Sequence, residues 1–468
     1  FPYTTLFRSR GMEKYPLNLF ERQAISFVLK KEVYMHKIQQ IISNYKNGIH
    51  DGIVSVCCSN KFVIEAAMDK LRDKDIALLV EATANQVDQF GGYTGMKPSE
   101  YRRFILELCK KNNFPEDRVV LGGDHLGPLT WRDIDPEQAM ENAKELIRQY
   151  VMAGFTKIHI DTSMKIKGDS ENNDFGDEII ADRAGILCSV AESAYKELIK
   201  ENKDAIHPIY VIGSEVPIPG GAEGEEEGIS VTKVENFKTT IETFKEAFKR
   251  HNVESAFDYV VAVVVQPGVE FSSETVCEYD REKAKKLSEA IKEYDSILFE
   301  AHSTDYQTKY ALREMVEDGF VILKVGPELT FGFREGAFAL NCIEEELLQY
   351  NDKFELSRFR EILDFEMVKD SRQWEKHYVG SGRKVKLERK YSLSDRCRYY
   401  MPNEEVDFAL NKMLDNLSKV DIPLPLISQY LPNQYRLIRE GKLENTPIEL
   451  LKSKIGEYID DYLYAIRK

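Results

Sequence analysis

From Gly52 onward, short apolar and mostly β-branched runs alternate with polar turns and longer stretches of helical periodicity. The runs are Ile53–Cys57, Ile76–Glu81, Val119–Asp124, Thr156–Asp161, Ile209–Glu215, Val260–Gln266, Ile297–His302 and Val321–Gly326, eight in all. Helices are predicted between them, such as Pro136–Ala153 after Asp135 and Arg281–Tyr294 after Asp280, each Asp offering a side-chain oxygen to the first helical amides. Near-continuous apolar strands that alternate with helices predict parallel pairing covered on both faces. Eight such units across residues 35–349 therefore predict an α/β fold, a closed (β/α)₈ TIM barrel. An open doubly wound sheet is the alternative, but no Gly-x-Gly-x-x-Gly follows the first run. Past Tyr350 the rhythm stops. Residues 350–468 read as a helical C-terminal extension, with helices at Phe354–Val368, Glu404–Leu417 and Pro447–Arg467, packed on the barrel or on a neighbouring subunit.

The first 34 residues break this pattern differently. Phe1–Ser9 resembles the translation of a sequencing-adaptor oligonucleotide, and Lys30–Tyr34 can be back-translated into a ribosome-binding sequence just ahead of Met35. Residues 1–34 are thus expected to be a non-native extension. A start at Met12, or a genuine amphipathic helix at Ala24–Lys31, is the rival reading.

Composition narrows the function classes. The 468-residue chain carries a formal charge of −15, with 43% hydrophobic and 31% charged residues, which argues against a nucleic-acid binder. An anionic substrate remains compatible, because a few local donors suffice to hold one. Seven scattered cysteines without metal-type spacing fit reduced thiols in a cytoplasmic protein. No apolar run reaches the roughly 20 residues of a membrane span.

The polar residues sit where a barrel enzyme needs them. The strands end at Ser59, Asn85, Asp124 with His125, Asp161, Glu215, Gln266, His302, and Lys324 with Gly326. Interior strand positions are expected to be largely aliphatic, so a ring of polar ends marks the catalytic C-terminal rim. Adjacent Asp124 and His125 should point to different sides, one free to ligate a metal and the other to act on substrate. Two histidines with a carboxylate or amide would suit a divalent ion with an open position. Glu215 opens a Gly-rich acidic loop whose Glu223–Glu227 segment reads either as a mobile lid or as solvated surface. Lys324-Val325-Gly326-Pro327 reads as a phosphate site at a helix start or as a structural turn. Arg396, Arg398 and their tyrosines offer a phosphate site or a packing surface.

Longer motifs carry a resemblance. Gly122-Gly123-Asp124-His125-Leu126-Gly127-Pro128, Glu81–Val87, Gln89–Met96, Gly213–Gly221, Val265–Phe271, Glu300–Gln307 and Ile427–Pro432 resemble the Z-type subunit family of class II D-tagatose-1,6-bisphosphate aldolase, from about Met35 to the C-terminus. That family is distantly similar to zinc-dependent class II fructose-bisphosphate aldolases. The resemblance implies a catalytic aspartate at Asp124, metal ligands at His125 and His302, and a carboxylate near the metal at Glu215, with the proton-donating loop at Glu223–Glu227. Where the aldolases place a third histidine, at the end of strand six, this chain has Gln266-Pro267, so Gln266 is expected to ligate through its amide oxygen.

Two functions follow as expectations. One is a metal-dependent epimerase (Zn²⁺, Mn²⁺, Co²⁺ or Ni²⁺) that interconverts fructose and tagatose forms at C4. In it Asp124, Glu215 and Asp161 would handle protons, and Ser59, Asn85, Lys324 and Gly326 would bind the ketohexose or its 6-phosphate. The other is a non-catalytic subunit that stabilises a separate catalytic aldolase. A homo-oligomer is compatible with either.

Overall fold

In a computed structural model, described for residues 35–169, 175–216 and 229–467, eight parallel strands close into a barrel. They are β1 (Ile53–Val56), β2 (Leu78–Thr83), β3 (Val119–Leu126), β4 (Lys157–Ile160), β5 (Ile209–Ile212), β6 (Val260–Val264), β9 (Leu298–Ala301) and β10 (Phe320–Val325). Each pairs with its successor, and β10 closes on β1 with Ile53 opposite Ile322 and Val56 opposite Val325. Every run of the hydrophobic pattern is therefore a barrel strand. Between β6 and β9 lies a small antiparallel hairpin that the pattern did not reveal, β7 (Glu270–Phe271) with β8 (Val276–Cys277). Two-residue strands are too short to show a period.

The helices that cover the barrel are α1 (Lys37–Lys46), α2 (Lys61–Leu71), α3 (Pro98–Lys111), α4 (Pro136–Met152), α5 (Asp177–Glu201), α6 (Val234–Arg250), α7 (Arg281–Ala290), α8 (Lys309–Glu317) and α9 (Pro327–Leu348). Asp135 accepts from the Glu137 and Gln138 amides and Asp280 from those of Glu282 and Lys283, the caps anticipated from sequence. Helix α7 ends earlier than predicted, because Ile291–Glu293 tightens into a 3₁₀ turn.

The C-terminal region is helical throughout: α10 (Phe359–Lys369), α11 (Gly382–Tyr391), α12 (Glu404–Ser418), α13 (Leu424–Tyr430), α14 (Pro432–Arg439) and α15 (Pro447–Ile466). Helix α15 packs against α2, α8 and α9. Its end is tied to the barrel by the Gly52 N–H, which donates to the Ile466 carbonyl at 3.0 Å, and by Arg313, which donates to the Ala465 carbonyl at 3.0 Å. Tyr462 on this helix is fully buried. Among the described residues no helix is long and apolar enough to cross a membrane, and all seven cysteines are free thiols.

The barrel interior departs from the aliphatic expectation. Glu81 on β2, Lys157 on β4 and Glu300 on β9 are wholly buried, and Lys324 on β10 nearly so. Lys157 Nζ lies 2.7 Å from both Glu81 oxygens and 2.6 Å from Glu300 Oε2. A charge of this size is tolerated inside only because each ion has counterions within contact distance. Glycine makes the room: a Cβ on Gly122 would lie 2.7 Å from the Glu81 side chain.

Candidate active site

Above this charged floor, four buried side chains converge. Asp124 and His125 at the end of β3, His159 on β4 and His302 after β9 place one ligand atom each within 4.8 Å of all the others. The three imidazole rings form a near-equilateral triangle, with centroids 4.9, 5.1 and 5.2 Å apart.

The local backbone explains how neighbours in sequence share one site. In a regular strand Asp124 and His125 would face opposite sides, as the sequence reading assumed. The β3–β4 register instead shifts between Gly123 and Leu126, and His125 takes a positive φ of 48°. This irregularity brings both side chains into the same cluster. Gly127 follows because nothing larger fits: a Cβ there would lie 1.7 Å from the Asp161 carbonyl oxygen.

Each imidazole is oriented by a carboxylate. His125 Nδ1 is 2.7 Å from Asp161 Oδ2, His159 Nδ1 is 2.9 Å from Asp124 Oδ1, and His302 Nε2 is 3.0 Å from Glu300 Oε1. That arrangement leaves His125 Nε2, His159 Nε2 and His302 Nδ1 for a common centre, the pattern that metal-ligating histidines adopt. The His125 N–H also points at His159 Nδ1 at 3.2 Å. The shorter, charged contact to Asp124 is the stronger one, so it places the proton on Nδ1. His159 Nε2 is then a buried lone pair, and no hydrogen-bond partner among the described residues reaches it. The donor set therefore fits a metal ion, and the charge count agrees. Lys157 and Lys324 stand against Glu81, Glu300, Asp124 and Asp161, which leaves two negative charges when the imidazoles are neutral.

Electrostatics separate the histidines. Burial pulls the His302 imidazole down to about 3, although Glu300 opposes it. Burial also works against a charged His125, but Asp124 and Asp161 outweigh it and raise this ring above its ordinary value. Burial disfavours an ionised Asp124, yet His125, Lys324 and the other imidazoles hold it well below the usual carboxylate range. Lys324 Nζ sits 2.9 Å from Asp124 Oδ2 and 3.1 Å from Glu81 Oε1.

Of the residues singled out from sequence, Asp124, His125, His302, Asn85, Lys324, Gly326, Arg398 and Tyr399 line one cavity. The others do not. Asp161 stands behind His125 and accepts from the Ser163 N–H and Oγ, so it positions the ring rather than facing the cavity. Gln266 is not brought to the cluster, because its Oε1 accepts the Gly268 and Val269 amides at 2.7 and 3.1 Å within its own turn. Glu215 is held by Thr232 and by Asn236 at 2.6 Å, away from the ligand atoms. Ser59 borders a neighbouring apolar cavity. At the helix start the Gly326 and Glu328 amides are taken by Asp305 Oδ1 at 3.0 and 2.9 Å, while Lys324 Nζ is ion-paired with Asp124 at 2.9 Å. Glu223–Glu227 and the N-terminal 34 residues lie outside the described residues.

Residues 38–467 match the model of the D-tagatose-1,6-bisphosphate aldolase subunit GatZ/KbaZ-like family. The chain belongs to that family. It is also similar to the crystal structure of a "probable tagatose 6 phosphate kinase" from Sinorhizobium meliloti 1021, at 39% identity over 88% of this chain and 100% of that one, with a TM-score of 0.79. A fructose-bisphosphate aldolase from Campylobacter jejuni matches at 13% identity over 82% of this chain and 93% of that one, with a TM-score of 0.42.

Sequence reasoning missed several residues of this GatZ/KbaZ-like site. His159 was passed over inside an apolar run, although Lys157, His159 and Asp161 alternate on one face of β4. A period-2 set of polar residues in an otherwise apolar strand was the available signal. Tyr93 also lines the cavity, as do Arg398 and Tyr399, for which the sequence left a phosphate site and a packing surface open. That the extension reaches the barrel mouth is a matter of tertiary packing, which no spacing rule shows.

Proposed function

We propose that this GatZ/KbaZ-like chain is a metal-dependent enzyme acting on ketohexoses or their 6-phosphates, inverting C4 to interconvert fructose and tagatose forms. The convergence of Asp124, His125, His159 and His302 at the barrel mouth supports this reading. A purely structural subunit has no need of three buried imidazoles, each oriented by its own carboxylate. A divalent ion held by the three histidines (zinc, manganese, cobalt or nickel) would polarise the ketose carbonyl and stabilise developing oxyanion charge.

The chain's own residues account for the proton. In this reading Asp124, a carboxylate that lines the cavity, would take the proton from the C4 hydroxyl as the C3–C4 bond opens. It returns the same proton after the aldehyde fragment has turned over and re-added, so the product is an isomer and nothing is consumed. Lys324, 2.9 Å away, steadies the charged form of Asp124. Glu215 has no part in this scheme, since Thr232 and Asn236 occupy it.

The family description, an aldolase subunit, favours a second reading: a non-catalytic chain that stabilises a separate catalytic aldolase. One experiment separates the two. Purified protein is incubated with each metal and with fructose 6-phosphate or fructose. Formation of the tagatose form, lost in His302→Ala and after chelation, is the expected result. No turnover, together with rescue of a partner aldolase's stability, would establish the subunit reading instead.

A further inference from the structure

Barrel enzymes commonly hold a phosphate on the loops after the last strands and at the following helix N-terminus. Here that position is filled by the chain itself, because Asp305 takes the Gly326 and Glu328 amides. Lys324 below it is committed to Asp124 and Glu81. On that side an anionic ligand would meet the Asp305 carboxylate in place of free helix-start amides. The C-terminal extension offers a donor instead. Arg398 lines the same cavity as Asp124, His125 and His302, with Tyr399 and Tyr93 beside it.

The guanidinium is fixed but not used up. Its Nη1 donates to the Ser394 and Asp395 carbonyls, and Nη2 donates to the Tyr399 hydroxyl at 2.9 Å. An arginine has five N–H donors, so the Nε–H and the second Nη2–H remain, and no acceptor among the described residues takes them. The Asp395 carboxylate does not neutralise this charge, because Arg334 and Thr330 hold it at 2.8 Å each. Tyr93 and Tyr399 meet edge to face at 5.2 Å and wall the group in.

We infer that Arg398 binds the oxyanion terminus of the cavity's ligand, a phosphate monoester or a carboxylate at the end of a sugar chain. A planar fork with two uncommitted donors matches such a group in bidentate fashion. The choice of a sugar as ligand rests on the function proposed above; the oxyanion site itself does not.

Calorimetric titration of the full chain tests it, with fructose 6-phosphate, glucuronate, fructose and inorganic phosphate as probes. In Arg398→Gln, affinity for the anionic sugar should fall roughly 10- to 100-fold. Binding of fructose should be unchanged, and Arg398→Lys should recover only part of the loss. Whichever of fructose 6-phosphate and glucuronate shows the loss identifies the source of the oxyanion. Unaltered affinity of Arg398→Gln for both anions overturns the inference, as does a wild-type chain that binds neither anion nor phosphate. Because Arg398 also braces two carbonyls, its removal can unfold the turn. In that case the wild type decides: phosphate should slow phenylglyoxal labelling of Arg398 severalfold, and equal labelling with and without phosphate overturns the proposal. Turnover is scored separately. Anion binding through Arg398 without turnover refutes only the catalytic reading, and turnover with normal binding in Arg398→Gln refutes only this inference.

Discussion

The imidazole of His159 and the carboxylate of Asp124 meet at 2.9 Å, Nδ1 to Oδ1, so the acid that faces the cavity also sets the tautomer of the ring beside it. With the proton on Nδ1, the buried Nε2 is a lone pair without a partner among the described residues. His159→Ala should therefore lose divalent-metal affinity by at least about 100-fold, as expected when a ligand itself is removed rather than its support. Metal content after dialysis and the upward shift in Tm on adding metal both report it. Wild-type stoichiometry in the variant would show that His159 is not a ligand.

Asp161→Asn tests orientation rather than ligation. Ser163 donates both its N–H and its hydroxyl to Asp161 Oδ1, at 3.0 and 2.6 Å. Those donors fix the amide oxygen of an asparagine there, so its NH₂ must face His125 Nδ1. Donor against donor forces His125 to carry its proton on Nε2, the nitrogen needed at the metal centre. A fold that melts like wild type but binds metal 10- to 100-fold more weakly is expected. Asp161→Ala, which imposes no tautomer, should be the milder change. The reverse order of severity would refute the tautomer argument.

How much of this was legible beforehand depends on how local the signal is. The eight strands were visible because each is a compact apolar run, and His125 and His302 because they end two of them. Gln266 was misread, since nothing in Gln266-Pro267-Gly268 says that the side chain folds back onto its own turn. Asp305 was overlooked for the opposite reason. A carboxylate that caps a helix starting some twenty residues later looks like any loop aspartate until the barrel closes. The ion pairs of the floor join β2, β4, β9 and β10, and only closure makes those strands neighbours across the interior.

Lys157 is the test of that floor. It is fully buried and bridges Glu81 and Glu300 at 2.6 to 2.7 Å. Lys157→Met keeps the volume and strands two carboxylates without their nearest cation. Breaking one partner of a buried pair costs about 3–5 kcal/mol, a loss that urea denaturation would read as a lower midpoint at unchanged slope. A variant as stable as wild type would mean that Lys324 alone neutralises both acids.

Glu328 gives stability its clearest pH dependence. Burial, with Asp305 adding repulsion, pushes this carboxyl up to about 8 in the fold, against 4.5 for the free group. The Tyr462 hydroxyl, 2.9 Å from the Thr304 carbonyl and 3.1 Å from Glu328 Oε2, works against this shift without cancelling it. Between these two values the folded chain holds a proton that the unfolded chain has released. The sign follows from linkage: stability falls as pH rises from about 4.5 to about 8, then levels off once both states are ionised. Glu328→Gln keeps the neutral shape, so it should match wild type near pH 4 and exceed it increasingly toward pH 8, by a few kcal/mol at most. Chemical denaturation of both proteins across that range, at equal metal content, measures the difference. Parallel stability curves for the two proteins would show that Glu328 is ionised in the fold.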